Sequence, residues 1–166
     1  MNIDTKKKRL IVLVGLFYPS PSPTGKATKQ YLEILKAKYD ITVVFVQSGL
    51  EKFETKRIEN YLLISLYNWR LYLQAYFLSK SKNITKYTPL KKIFDLFVLF
   101  MRALGRIQTL LFLPDNNRWF HKKALHKIEE LNKIKPIDYL LTVNSPFTAH
   151  SAGRAFKQKH EKIKWI

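Results

Sequence analysis

Cysteine is missing altogether, glycine occurs five times, and carboxylates number 12 against 30 lysines and arginines. Each shortage closes a route. Without cysteine there is no disulfide, no thiolate nucleophile and no thiolate metal site, which suits a reducing compartment such as the cytoplasm. The scarcity of glycine defeats the common phosphate-binding fingerprints. A Walker A loop needs glycine five positions before Gly25 and Ser or Thr after Lys26, where Ser20 and Ala27 stand. The dinucleotide fingerprint fails too, since Gly15 and Gly25 are the only glycines near the first turn. Long apolar runs are also missing, because no segment reaches the roughly 18 uninterrupted apolar residues of a spanning helix. The nearest, Ile93 to Leu113, carries Asp95, Arg102, Arg106 and Gln108. It is expected to lie on a membrane rather than cross one. At the N-terminus, Lys6 to Arg9 precede an apolar run of only Leu10 to Phe17, which ends in prolines without a small-residue cleavage site. A buried first strand, not a signal peptide, is the reading.

What is present in excess is positive charge. The net +18 is spread along all 166 residues, with neither an acidic segment to offset it nor an isolated basic tail to explain it. Such a field favours anionic partners: nucleic acid, a phospholipid surface or a phosphorylated substrate. The length suits a single domain, residues 1–166.

Pattern along the chain alternates strands and helices. Leu10–Phe17 is a continuous aliphatic run, as in a strand buried on both faces. After the Pro/Ser loop, Ala27, Tyr31, Leu32, Leu35 and Lys38 mark the inward face of a helix, with Lys29, Glu33 and Lys36 turned to water. Ile41–Val46 closes a β-α-β unit with a right-handed crossover. Residues 47–60 read as polar loop and Tyr61–Leu66 as a third strand. The aromatic stretch Tyr67–Leu78 fits strand or helix equally, and Ser79–Pro89 reads as a linker. A helix over Leu90–Leu113 lines Ile93, Phe97, Phe100, Leu104, Ile107 and Leu111 on one side, rimmed by Lys91, Lys92, Arg102 and Arg106. A second, over Arg118–Ile134, turns Leu125, Ile128 and Leu131 inward and Lys122, Lys123, Lys127 and Lys133 outward. Asp138–Val143 reads as a strand, Asn144-Ser145-Pro146 as the cap of a helix over 147–159, and Lys162–Ile166 as a last strand. The fold class is α/β: a Rossmann-like, three-layer domain with a mostly parallel sheet at about 10–17, 41–46, 61–66, 138–143 and 162–166.

Two constellations carry chemistry. Thr24, Gly25 and Lys26 stand at a helix start, where unpaired backbone N–H groups beside a glycine seat phosphate or sugar oxygens. Thr142 to His150 forms a strand-to-helix turn, and ligands of open α/β sheets bind outside the carboxyl ends of the strands, so both turns should face one crevice. Asn144 and Ser145 offer polar contacts there. In the first helical turn the dipole favours a neutral imidazole at His150, able to accept a proton or hydrogen-bond a hydroxyl. His121 and His126 are five apart, on different helix faces and without a carboxylate cluster, so no metal site is expected. Basic residues interleaved with aromatics over 67–113 invite an RNA reading. The helical spacing of the aliphatics fits an interfacial membrane helix better, and no nucleic-acid partner is expected.

With these pieces placed, the chain resembles the N-terminal half of a GT-B glycosyltransferase of the family 4 type. The residues that carry the resemblance are YPSPSPTGKATKQYLEILK after the first strand, the helix from Trp119 to Lys133, and PIDYLLTVNSPFTAHSAGRAFKQKHEKIKWI. The resemblance implies an acceptor-binding Rossmann-like domain of a retaining, hexosyl-transferring enzyme of surface-polysaccharide assembly. Thr24, Gly25 and Lys26 would lie near the donor phosphates, Asn144, Ser145 and His150 on the acceptor side, with His150 the catalytic candidate. Lys91, Lys92, Arg102 and Arg106 would contact the inner membrane leaflet, where lipid-linked acceptors sit. No cofactor is implied. Relatives continue beyond the position of Ile166 into a second domain whose carboxylates grip the nucleotide-sugar donor, while the carboxylates here fall on helix surfaces or turns. The expectation is a half-enzyme, incomplete and inactive by itself, which meets the donor only with a second domain. A non-catalytic basic α/β domain for anionic membrane or nucleic acid is the alternative.

Overall fold

The structure, a computed structural model, describes residues 7–18, 22–47, 50, 54–58, 61–82, 89–111, 118–143 and 147–166. Within them lie six strands: β1 (Lys8–Val14), β2 (Tyr39–Val46), β3 (Thr55–Ile58), β4 (Tyr61–Leu66), β5 (Tyr139–Thr142) and β6 (Lys164–Trp165). Five helices join them: α1 (Pro23–Leu35), α2 (Trp69–Lys82), α3 (Pro89–Leu111), α4 (Arg118–Ile134) and α5 (Thr148–Lys159). The strands form one sheet in the order β3-β4-β2-β1-β5-β6, parallel except for β3. The arrangement is α/β and Rossmann-like, with helices on both faces of the sheet.

The strand pattern explains the layers. In β1, Leu10, Val12 and Val14 face a core shared with Leu32 of α1, Val43 and Phe45 of β2, and Leu63 of β4. Ile11 and Leu13 face the opposite core, with Phe120, Ala124 and Ile128 of α4 and Ala152 and Phe156 of α5. A run apolar at every position is what a strand covered on both faces needs. The α4 face is anchored at its end by Arg9. Its guanidinium donates to the carbonyls of Leu131, at 2.7 Å, and Lys135. The Leu131 carbonyl also accepts the Lys135 N–H at 3.1 Å, so Arg9 adds a second donor there and caps the Lys135 carbonyl just past the end of α4. Burial lowers the Arg9 pKa, with Asp40 acting in the opposite sense.

Several expectations change. Residues 55–58, expected as loop, form β3, which pairs antiparallel with β4 (Thr55↔Ile64 to Ile58↔Tyr61). Its alternation of exposed and half-buried residues is weak, so pairing rather than pattern makes it a strand. The aromatic stretch after β4 is helical, and α2 runs on to Lys82 through part of the expected linker. On α1 the inward residues are Gly25, Thr28 and Leu32, whereas Ala27 and Tyr31 are exposed. Small residues bring the helix close to the sheet, and that rotates the apolar stripe away from the Tyr31 side. Glu33 is not simply turned to water: Lys36 bridges it at 2.5 Å and the Tyr61 hydroxyl donates to it. The Lys36 hydrogen bond, then that of Tyr61, hold its carboxyl below the usual carboxylate range. Lys127 likewise is half-buried, donating to Glu54 at 3.3 Å and Glu130 at 3.1 Å. Burial pulls its ammonium pKa down, and the two carboxylates more than offset that, leaving it raised.

The α2–α3 pair packs mainly on itself, with Leu71 of α2 reaching the core under α4 and α5. Helix α3 packs on α2 through Phe94 and Phe97, which meet Phe77 with ring centroids 5.5 and 4.0 Å away. Val98 and Met101 are buried. The buried Ser81 hydroxyl of α2 donates to Asp95, which also receives Lys91 at 2.6 Å. The expected single stripe of α3 is therefore split. Phe97 and Leu104 are partly buried, while Ile93, Phe100 and Ile107 are exposed. The side chain of Leu111 and residues 112–113 lie outside the described residues.

Candidate functional site

The site is built where the sheet changes direction of winding. From β1 the chain crosses through α1 to β2 on one side; β5, on the other side of β1, leads through α5 to β6. β1 and β5 run parallel in the register Leu10↔Tyr139 to Leu13↔Thr142, and the Val143 N–H donates to the Leu13 carbonyl at 2.9 Å. The turns after Val14 and Val143 therefore leave neighbouring strands at the same edge. Helix α1 packs on one face and α5 on the other. This is the topological switch point, where open α/β sheets leave a crevice.

On the α1 side, Ser22 is the N-cap, with Pro23 as the first helical residue. The Ser22 hydroxyl accepts from the Gly25 N–H at 3.1 Å, and the Lys26 N–H donates to the Ser22 carbonyl at 2.8 Å. Of the amides expected to face a ligand, that of Gly25 is thus occupied by the cap. Gly25 is buried, Thr24 half-buried with its carbonyl taken by the Thr28 hydroxyl at 2.8 Å, and Lys26 exposed. The exposed ammonium of Lys26 is the group on this side best placed for an anionic oxygen.

On the α5 side, the helix begins at Thr148, preceded by Phe147 in helical conformation without a side-chain cap. Asn144, Ser145 and Pro146, expected to supply contacts and the cap, lie outside the described residues. His150 is in the first turn, half-buried, with its ring 6.2 Å from the exposed Phe147 ring. Its Nδ1 lies 2.7 Å from the Thr142 hydroxyl. That hydroxyl accepts the Trp165 indole N–H at 2.9 Å and has a second acceptor, the Ile166 carbonyl, at 3.5 Å. The Thr142 hydroxyl thus ties the His150 ring to Trp165 and to the end of the chain beyond β6, and the ring nitrogen can either accept from it or donate to it.

The room for this cluster comes from Gly153. A methyl group there would come within 2.5 Å of Thr142 Cγ2 and 2.9 Å of Trp165 Nε1. Neither Gly153 nor Trp165 stands out as a site residue in the linear pattern. A glycine in a helix interior, where it costs about 1 kcal/mol against alanine, is the signal that some neighbour approaches closely. Which neighbour it is depends on β6 reaching β5.

A groove of about 510 Å³ opens at the opposite, amino-terminal edge of β5 and β6, lined by Asn132, Ile137, Gln158 and His160 among others. His160 there is already committed: it meets Glu129 at 2.8 Å and stacks on Phe156 with centroids 4.5 Å apart. It braces α4 against α5 and lies far from the crevice. Among the described residues, no three His, Asp or Glu side chains gather as a metal site would require. The four cations expected at a membrane divide: Lys91 is held by Asp95, whereas Lys92, Arg102 and Arg106 are exposed. No family model, no curated protein and no solved structure matches this chain.

Proposed function

We propose that this chain is the acceptor-side half of a nucleotide-sugar-dependent glycosyltransferase that moves a hexosyl group onto a lipid-linked polysaccharide precursor. The observation that supports the reading is the shared sheet edge: β1 and β5 are neighbours, and Thr24–Lys26 and His150 follow them there, on helices from opposite faces. Lys26 is a cation for a phosphate, and His150 is an imidazole able to hydrogen-bond a hydroxyl or phosphate oxygen. In the transfer, the bond between the anomeric carbon and the donor diphosphate breaks. A bond from that carbon to an acceptor hydroxyl forms, and the hydroxyl proton passes to the departing diphosphate. The diphosphate needs positive or hydrogen-bonding groups as its charge develops. In this reading most of those groups belong to a second domain, and this chain holds the acceptor. The reading also puts the chain on the cytoplasmic side, peripherally on the inner membrane face.

Calorimetry on the chain tests it. A short-chain polyprenyl diphosphate sugar is expected to bind, and more weakly in Lys26→Glu and His150→Ala; nucleotide sugars are expected not to bind at micromolar concentration. Tight binding of a nucleotide sugar would overturn the half-enzyme assignment, and no binding of the polyprenyl compound would remove the acceptor role. A non-catalytic basic domain on anionic membrane is the second reading, favoured by the exposed face of α3. It predicts that neither Lys26→Glu nor His150→Ala alters any ligand affinity.

A further inference from the structure

Helix α3 has two apolar seams, and among the described residues only one of them is covered. Phe94, Phe97, Val98, Met101 and Leu104 form the seam turned toward α2, buried or half-buried. Ile93, Leu96 and Phe100, then Ile107 and Leu110, lie on the other side three or four residues apart within each group, and are 52–76% exposed. Exposed Ala103 stands between the two groups, and Leu99, beside them, is 62% exposed. Six large apolar side chains exposed along a helix of about 34 Å are far more than the single scattered leucines of an ordinary surface. Lys92, Arg102 and Arg106, all exposed, border this row along one side. The one carboxylate of α3, Asp95, is already neutralised by Lys91.

We propose that this outward seam docks on an anionic lipid bilayer, with Leu96, Phe100, Ile107 and Leu110 entering the interface and Lys92, Arg102 and Arg106 meeting lipid phosphates. The proposal takes its partner from the membrane-bound reading above and names the surface responsible. The occupant is argued from charge. The row's spacing would also suit a second copy, but two chains of +18 brought seam to seam would set like-charged rims against each other. An anionic bilayer satisfies the apolar row and the basic rim together, which is the signature of an interfacial helix. Among the described residues no helix is long and apolar enough to cross the membrane, so α3 lies along it. Leu104, on the sequence pattern a member of the membrane-facing stripe, is turned toward α2 and should play no part in docking.

The test is co-sedimentation of the chain with vesicles of phosphatidylglycerol and phosphatidylcholine, against phosphatidylcholine alone. Binding is expected to the mixed vesicles and to fall with salt. Leu96→Glu and Phe100→Glu should each weaken it about tenfold or more, and Arg102→Ala or Arg106→Ala about fivefold. These side chains are exposed, so circular dichroism should show the variants folded. Failure to bind mixed vesicles overturns the proposal, as does unchanged binding by folded Phe100→Glu. A dimer in sedimentation equilibrium that Phe100→Glu dissociates would assign the seam to a second copy instead. None of these outcomes depends on sugar-nucleotide or acceptor binding, so docking and the transferase reading fail separately.

Discussion

Gly153→Ala is the perturbation that best probes the α5 side of the crevice, because two effects of opposite sign compete there. In a helix interior alanine is favoured over glycine by about 1 kcal/mol. Against this, the added carbon would lie 2.5 Å from Thr142 Cγ2 and 2.9 Å from Trp165 Nε1. Carbon contacts settle at roughly 3.5–4.0 Å, so about 1 Å of separation must be found. Thr142 is 6% exposed and sits between β1 and β6, which leaves rotation of its side chain as the easy escape. That rotation moves the hydroxyl off His150 Nδ1 and Trp165 Nε1. Overpacking costs about 1–3 kcal/mol and each lost hydrogen bond about 0.5–1.5. The clash wins, with a net loss of about 1–5 kcal/mol. For a chain of this length each kcal/mol lowers Tm by roughly 2–4 °C. Gly105→Ala is the control: its methyl group would meet the Arg70 guanidinium at 2.9 Å, the far end of a long side chain that can move. It should be neutral or stabilising by up to about 1 kcal/mol. Thermal and urea unfolding followed by circular dichroism measure both. If Gly153→Ala proves as stable as the parent, the Thr142–Trp165–α5 packing described above is wrong.

Leu32→Ala should cost about 2–5 kcal/mol in urea unfolding, since Leu32 is the fully buried large side chain through which α1 holds the sheet. Ser22→Ala removes the hydroxyl that accepts the Gly25 N–H, and should lower stability by about 1 kcal/mol, whereas Ser22→Asp should keep most of it. Asp95 is held below its ordinary value of 3.8 by the Lys91 hydrogen bond, then by Ser81. A depressed carboxylate adds stability above its unfolded pKa and loses it as pH falls through the folded one. Amide protection factors in α2 and α3, with the intrinsic pH dependence of exchange divided out, should therefore fall below about pH 4, and Asp95→Asn should flatten that acid dependence. Identical profiles for the two proteins would show that Asp95 does not tie the helices.

The sequence by itself determined the elements whose pattern is local and strong. Continuous aliphatic runs made β1, β2 and β5 legible, because a strand covered on both faces has no polar side to show. The start of α1 was legible only to within a few residues, expected after Thr24-Gly25 and found at Pro23 with Ser22 as its cap, and the basic, half-apolar character of α3 was plain from its periodicity. From those, the parallel sheet and the shared edge of its two chemistry-bearing turns follow by general rules of chain topology. What tertiary structure decided was which of several equivalent local choices is realised. Periodicity puts Phe97 and Phe100 in one apolar stripe of α3; only the position of α2 decides that Phe97 is half-buried and Phe100 exposed. The same holds for β3, whose residues are indifferent until β4 offers a ladder, and for α1, which turns Gly25 and Thr28 inward so that it can approach the sheet. His150 could be placed at a helix start from sequence, but what holds its ring is Thr142, itself bonded to Trp165. They meet because β6 pairs with β5, and such a contact between distant segments leaves no periodic trace along the chain.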